Sequence, residues 1–481
     1  MNRRQLLEYA AAGGGSLALL HGTSASAQTS RSRYASGALT ATAEKIYADI
    51  HAMEMDDTHC HALTPAMWTK DKVTTVELFL IRISLAGMAV PAYFPKGVWN
   101  EWLEGDAGVK ASLDRKYGIT KVVREVVKDV RELAFVKMMT KEMAAYLGCK
   151  PVLEEVIEAR NARGGNYTQY INDLFRDVNI ANVMTDTGCC EGTTVDGVSS
   201  YQDAIRPVKV RGLARVDRLQ GELLQKDSSF EELEGEFLKR VRDALDGIGN
   251  VGIKTYGMKS YLLPRLGLLR PIYDRGVAAK SWDEYKANRP TNGRGPDRDE
   301  QNSRGREMLL YLLTLAMEEC LARDMPMQFH AGDGEAPGVI LRNQHPYYLE
   351  EMVRFDKDGV MRRPKVIPIH GGYPLIGEET WLCHLYPNCY YEFSIMSPYI
   401  HQGLADRFRE IWEAVPFSKT LYGSDAWSVP EQYWLSGRWT KRFMSEALGV
   451  YVKEGVLTHE EAVAAAKRVL HENNRELYRL S

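Results

Sequence analysis

Long apolar runs are missing from this 481-residue chain: no stretch of about 18 apolar residues occurs, which argues against a helical membrane span in the mature chain. Strong net charge is missing too. The formal charge is −3, so nothing favours nucleic-acid binding through phosphate neutralisation. Cysteine is sparse, with seven residues, an odd number, and no Cys-x-x-Cys pair, which excludes a disulfide scaffold. Cys60, Cys149, Cys320, Cys383 and Cys389 read as small buried apolar groups, while adjacent Cys189-Cys190 invites a metal or redox reading. No Gly-x-Gly-x-x-Gly follows the first expected strand, so an open dinucleotide-binding sheet is not indicated. What remains is a soluble globular composition, 44% hydrophobic and 26% charged, long enough for one large domain or two ordinary ones.

The first residues read as a targeting segment. Paired Arg3-Arg4 precede a mildly apolar, glycine-rich run ending at Leu20, and Ala25-Ser26-Ala27 offers a small-residue cleavage site. This pattern resembles a twin-arginine export signal over residues 1–27, which implies the twin-arginine export machinery as a partner and a periplasmic or exported location. That route carries folded proteins, so a metal could be loaded before export.

Beyond a lead-in at 28–50, with a helix around Thr42–His51, eight strands are expected. They are Met53–His59, Asn179–Asp186, Val208–Val216, Asn250–Tyr256, Met325–His330, Lys365–His370, Cys389–Ser394 and Lys419–Gly423. Helical spacing appears between several of them, at Phe230–Ala244, Arg306–Ala322, Tyr348–Phe355 and Gln402–Ala414. Eight strands alternating with helices predict an α/β fold, a (β/α)8 TIM-type barrel spanning 51–440. Residues 64–175 are too long for one connection and read as a helical insertion after strand 1, for example Ile119–Thr140. A breaker-rich loop at Arg289–Pro296 and a C-terminal helical extension over 441–481 complete the plan. The last extension helix opens with the capping box Thr458-His459-Glu460-Glu461.

The chemistry gathers where apolar strands end. His59 and His61 are two residues apart, so an extended backbone turns both imidazoles to one side. Lys254, His330, His370 and Asp425 end or closely follow strands 4, 5, 6 and 8. A barrel of this kind places its active site at those C-terminal ends. Four of the eleven histidines occupy such positions, a pattern that suits one divalent metal. Small residues after His330 and His370 would let backbone and substrate approach that ion.

With these residues in place the chain resembles the amidohydrolase superfamily, and within it the amidohydrolase-2 branch. It is most similar to the amidohydrolase half of glutamine-synthetase-like fusion proteins. The matching stretches are Asp57–His61, Val183–Gly188, Gly252–Thr255, Gln328–Gly334, Ile369–Pro374, Leu421–Trp427 and His471–Asn474. The resemblance implies His59, His61, His330 and Asp425 around one divalent ion, zinc or alternatively manganese, with one ion favoured over two. It implies that Asp425 accepts the proton of the attacking water and that His370, outside the ligand set, polarises substrate or shuttles a proton. Lys254 would either bind an anionic substrate or, carbamylated, bridge two metals. The expected activity is hydrolysis of an amide-type C–N bond, or a related ester, in a small-molecule substrate by a homo-oligomer. The alternatives are a single-metal lyase or isomerase, such as a decarboxylase or uronate-isomerase-like enzyme, and a non-catalytic binding barrel.

Overall fold

Met55–Cys60, the first strand (β1), is buried along its whole length and pairs in parallel with Ile180–Asp186 (β2). The computed structural model describes residues 39–71, 74–188, 194–247, 251–288, 305–332, 339–400 and 403–480. The parallel sheet continues through Lys209–Arg215 (β3), Thr255–Ser260 (β4), Met327–His330 (β5) and Val366–Ile369 (β6). Tyr391–Glu392 (β7) and Thr420–Leu421 (β8) pair with each other in parallel. Backbone hydrogen bonds close the ring. Tyr390 N donates to Val366 O (2.9 Å) and Gly371 N to Glu392 O (2.7 Å), joining β6 to β7. Thr58 N donates to Tyr422 O (3.0 Å) and Asp425 N to His59 O (2.8 Å), joining β8 to β1. The expected eight-stranded α/β barrel is therefore observed.

Both faces of this sheet are covered, as parallel sheets require. An interior cluster of Met184, Leu213, Tyr256, Ile367, Ile369 and Leu421 fills the barrel, with Leu477 and Tyr478 of the last helix below it. Outside, helices such as Phe230–Leu245 and Arg306–Ala322 bury Phe237, Val241, Leu310 and Leu313. Phe230–Leu245 starts with a reciprocal capping box between Ser229 and Glu232, and His459–Lys467 with the predicted one between Thr458 and Glu461.

Three expectations are corrected. The fourth strand lies at Thr255–Ser260, not Asn250–Tyr256. β3 dictates this, because Leu213, Ala214 and Arg215 pair with Gly257, Met258 and Lys259. The helix expected over Ile119–Thr140 is two helices, Ile119–Val130 and Ala134–Leu147, broken at Arg131–Leu133. Residue 440 is no boundary, since one buried 23-residue helix, Glu431–Lys453, runs through it. The export signal, Cys189-Cys190 and the 289–296 loop lie outside the described residues. The insertion packs at the C-terminal end of the strands: Ser428 Oγ donates to Arg82 O (2.6 Å) beside the loop that carries Asp425.

Candidate metal centre

β1 ends in the paired imidazoles. Their ring centroids lie 5.2 Å apart and edge-on, and both side chains are buried. Asp425 reaches them from the loop after β8. Its Oδ1 stands 3.1 Å from His59 Nε2 and 3.4 Å from His61 Nε2. The carboxylate turns inward because Asp425 adopts a left-handed backbone (φ 50°), a conformation Asp tolerates better than most residues.

Below, the His59 imidazole is held by its other nitrogen. Gln328, two residues before His330 on the same face of β5, donates Nε2 to Thr58 O (2.7 Å). That carbonyl can only accept, so Gln328 turns its Oε1 toward His59 Nδ1 (2.8 Å), and Nδ1 must carry the hydrogen. His59 Nε2 is left with a lone pair facing Asp425, the state in which imidazole binds a metal. Burial, with Lys259 beside it, pushes the His59 pKa down to about 4.

His370 sits at φ 83° and its Nδ1 meets Ser394 Oγ at 2.8 Å. Ser394 Oγ donates in turn to Glu392 (2.7 Å), and Glu392 also accepts from His370 N (3.2 Å). His370 Nε2 lies 2.9 Å from His330 Nδ1. The structure thus groups His370, rather than His330, with His59 and Asp425 as groups close enough to share one ion. His330 stands behind it, 4.5 Å from the Tyr261 ring.

Lys254 is in the wrong place for either role expected of it. It precedes β4 at the N-terminal end of the barrel, exposed, with Nζ 4.9 Å from the Tyr256 ring. Lys259 takes the site position. It is buried, 3.0 Å from His59 Nε2 and 3.5 Å from Asp186 Oδ2.

Asp186, at the end of β2, also joins His59 and His61 as a group able to hold an ion, and it pairs with Arg215 at 3.2 Å. Burial works to raise its carboxyl, but Arg215 and Lys259 outweigh burial and hold it low. Asp425 is held low too, its neighbours, His370 foremost, outweighing burial. Two buried carboxyls beneath the histidines behave oppositely. Burial raises Asp57 to about 7 although Ser424 and His59 donate to it, and raises Glu392 to about 8.

Asp186 and Glu392 follow the same rule that exposed the histidines, a polar residue closing an apolar strand. Lys259 was hidden by the misplaced strand. The loops after β5 and β6 pack closely on each other: a Cβ on Gly332 (φ 73°) would collide with the Gly372 backbone.

Residues 287–480 match the amidohydrolase family model. Among curated proteins, Protein fluG of Emericella nidulans is 28% identical over 159 residues, 32% of this chain and 18% of its own length, so the chain matches under a fifth of that relative. A Lactobacillus casei protein described as a metal-dependent hydrolase shares the fold at 18% identity, TM-score 0.63, covering 90% of this chain and 97% of that one. Uronate isomerase of Thermotoga maritima does so at 12% identity, TM-score 0.60, covering 91% and 97%.

Proposed function

We propose that this protein is an enzyme of the amidohydrolase type that uses one divalent ion, zinc or alternatively manganese, to hydrolyse an amide-type C–N bond, or a related ester, of a small molecule. The observation that carries this reading is the convergence of His59 Nε2, His61 Nε2 and Asp425 Oδ1, with His59 Nδ1 already committed to Gln328. Two nitrogen donors and a carboxylate in a buried pocket suit zinc or manganese. Among the described residues both ion-sized groups include His59. Its single remaining lone pair serves one ion, which favours one over two.

When bound, such an ion acts as a Lewis acid and brings the pKa of a coordinated water toward neutrality. Asp425 is placed to take the nucleophile's proton and return it to the leaving nitrogen. His370, braced by Ser394 and Glu392, is placed to move a proton or polarise the scissile carbonyl. Lys259, anchored by Asp186, can hold an anionic group of the substrate beside the centre.

Elemental analysis of the purified protein, with turnover on amide, ester and carboxylate substrates before and after chelation, tests this. Chelator-sensitive hydrolysis with one ion per chain is the expected result. Decarboxylation or isomerisation instead would assign the lyase or isomerase chemistry that the same barrel also supports. A metal-free active protein would overturn the reading. We also propose export to the periplasm, supported by Arg3-Arg4 ahead of Ala25-Ser26-Ala27.

A further inference from the structure

The last helix, Asn473–Tyr478, enters the barrel from below. Asn473 Nδ2 donates to Thr420 O (2.8 Å) at β8. Arg475 Nε pairs with Asp56 Oδ2 (2.7 Å) on β1, where Asp56 is fully buried. So anchored, the helix pushes Leu477 and Tyr478 against the interior side chains Met184, Leu213 and Ile367. β4 makes room for the ring: a Cβ at Gly257 would lie 3.2 Å from Tyr478 Cε1 and 2.7 Å from Pro326 O.

The buried Tyr478 hydroxyl lies 2.8 Å from Gln328 Nε2 and accepts one of its hydrogens, the other going to Thr58 O at 2.7 Å. Thr58 sets which way the amide faces. Tyr478 takes the second hydrogen and so fixes the plane and height of the amide beneath His59, whose Nδ1 is 2.8 Å from Gln328 Oε1.

We infer that Tyr478 is a positioning residue for His59, acting through Gln328, so that the C-terminal helix at the barrel floor governs a metal ligand at its mouth. The inference rests on the metal-centre reading above. Its physical basis is that partners behind a ligating imidazole fix its tautomer and direction, and their loss weakens metal binding. Without the hydroxyl, one buried Gln328 N–H loses its acceptor and the amide can turn to find another.

The test is a double-mutant cycle on the full chain, read as zinc affinity by competition with a chromogenic chelator. Gln328→Leu should weaken zinc binding about 10–100-fold. Tyr478→Phe keeps the ring and should weaken it roughly 2–10-fold, the worth of one hydrogen bond. In the Gln328→Leu background, Tyr478→Phe should have no further effect. Leu477→Ala, which removes floor packing alone, should lower Tm and leave zinc affinity unchanged.

Equal losses from Tyr478→Phe in both backgrounds, no loss in either, or a matching loss in Leu477→Ala would overturn the inference. Nitrogen-15 spectra of metal-free, histidine-labelled protein add a readout independent of metal. His59 should be the Nδ1–H tautomer in the native chain and become mixed in Gln328→Leu and, to a smaller degree, in Tyr478→Phe. A native chain that binds no zinc would sink the metal-centre reading, whereas an unchanged tautomer in both variants would sink this inference alone.

Discussion

Gly423 and Glu392 interlock: a Cβ on Gly423 would overlap the Glu392 carboxylate, which carries the Ser394 and His370 contacts. The glycine of the Gly-Ser-Asp stretch is thus required by a neighbouring strand and not by a turn. Gly423→Ala should lower stability by about 1–3 kcal/mol through overpacking, and His370 should move with Glu392. An unchanged urea midpoint would count against the interlock.

Two lysines five residues apart, Lys254 at the far end of the barrel and Lys259 at its mouth, can be told apart by substitution. Lys254→Ala should leave kcat/KM near that of the native chain, because its side chain is exposed at the far end of the barrel. Lys259→Ala should lower it on the order of 10²–10³-fold, the size expected for a lost electrostatic group inside a site. Steady-state kinetics of the two variants decide the matter, and reversed effects would refute the placement of β4.

His59→Ala or His61→Ala should strip the metal and abolish turnover while the barrel still folds. Metal content and circular dichroism check this together. Normal metal content in both variants would remove them as ligands. His370→Asn should lower the rate on the order of 10²–10⁴-fold, as for a lost proton-transfer group. Its metal content then separates the two positions available to His370: retained metal places it beside the ion, and lost metal places it on the ion.

Arg160 of the insertion helix Leu153–Gly164 is buried and paired with Glu431 at 2.6 Å, with Tyr170 donating to the same carboxylate at 2.9 Å. Arg160→Met should cost about 3–5 kcal/mol because Glu431 is left as an unpaired buried charge. Adding Glu431→Gln should recover part of that loss. Additive losses on denaturation would show that the pair is not what ties the insertion to the long helix.

Replacing Arg3 and Arg4 together by lysine should hold the precursor in the cytoplasm. Fractionation of the producing cells reads the result, and unchanged delivery to the periplasm would end the export proposal.

The barrel and most of its mouth were legible because both rest on local rules. Parallel strands buried on two faces read as short apolar runs, and the residue that ends each run is carried to the mouth whatever the packing around it. His59 and His61 needed only the two-residue alternation of an extended chain. His330, His370 and Asp425 needed only strand order.

What local pattern could not supply was register and long-range support. Val251, Ile253 and Tyr256 look more like a strand than Gly257, Met258 and Lys259, because glycine and lysine are poor strand formers. Pairing with β3 and β5 overrode that preference, and Gly257 is tolerated because the Tyr478 ring fills the space above it. The shift exchanged Lys254 for Lys259 at the site. That His370 stands close to His59 and Asp425 and is braced by Ser394 depends on the closed barrel, and the tautomer of His59 comes from Gln328, 269 residues away in sequence. Periodicity along the chain reports which face a side chain takes; only the closed barrel decides which side chains from distant strands stand opposite one another.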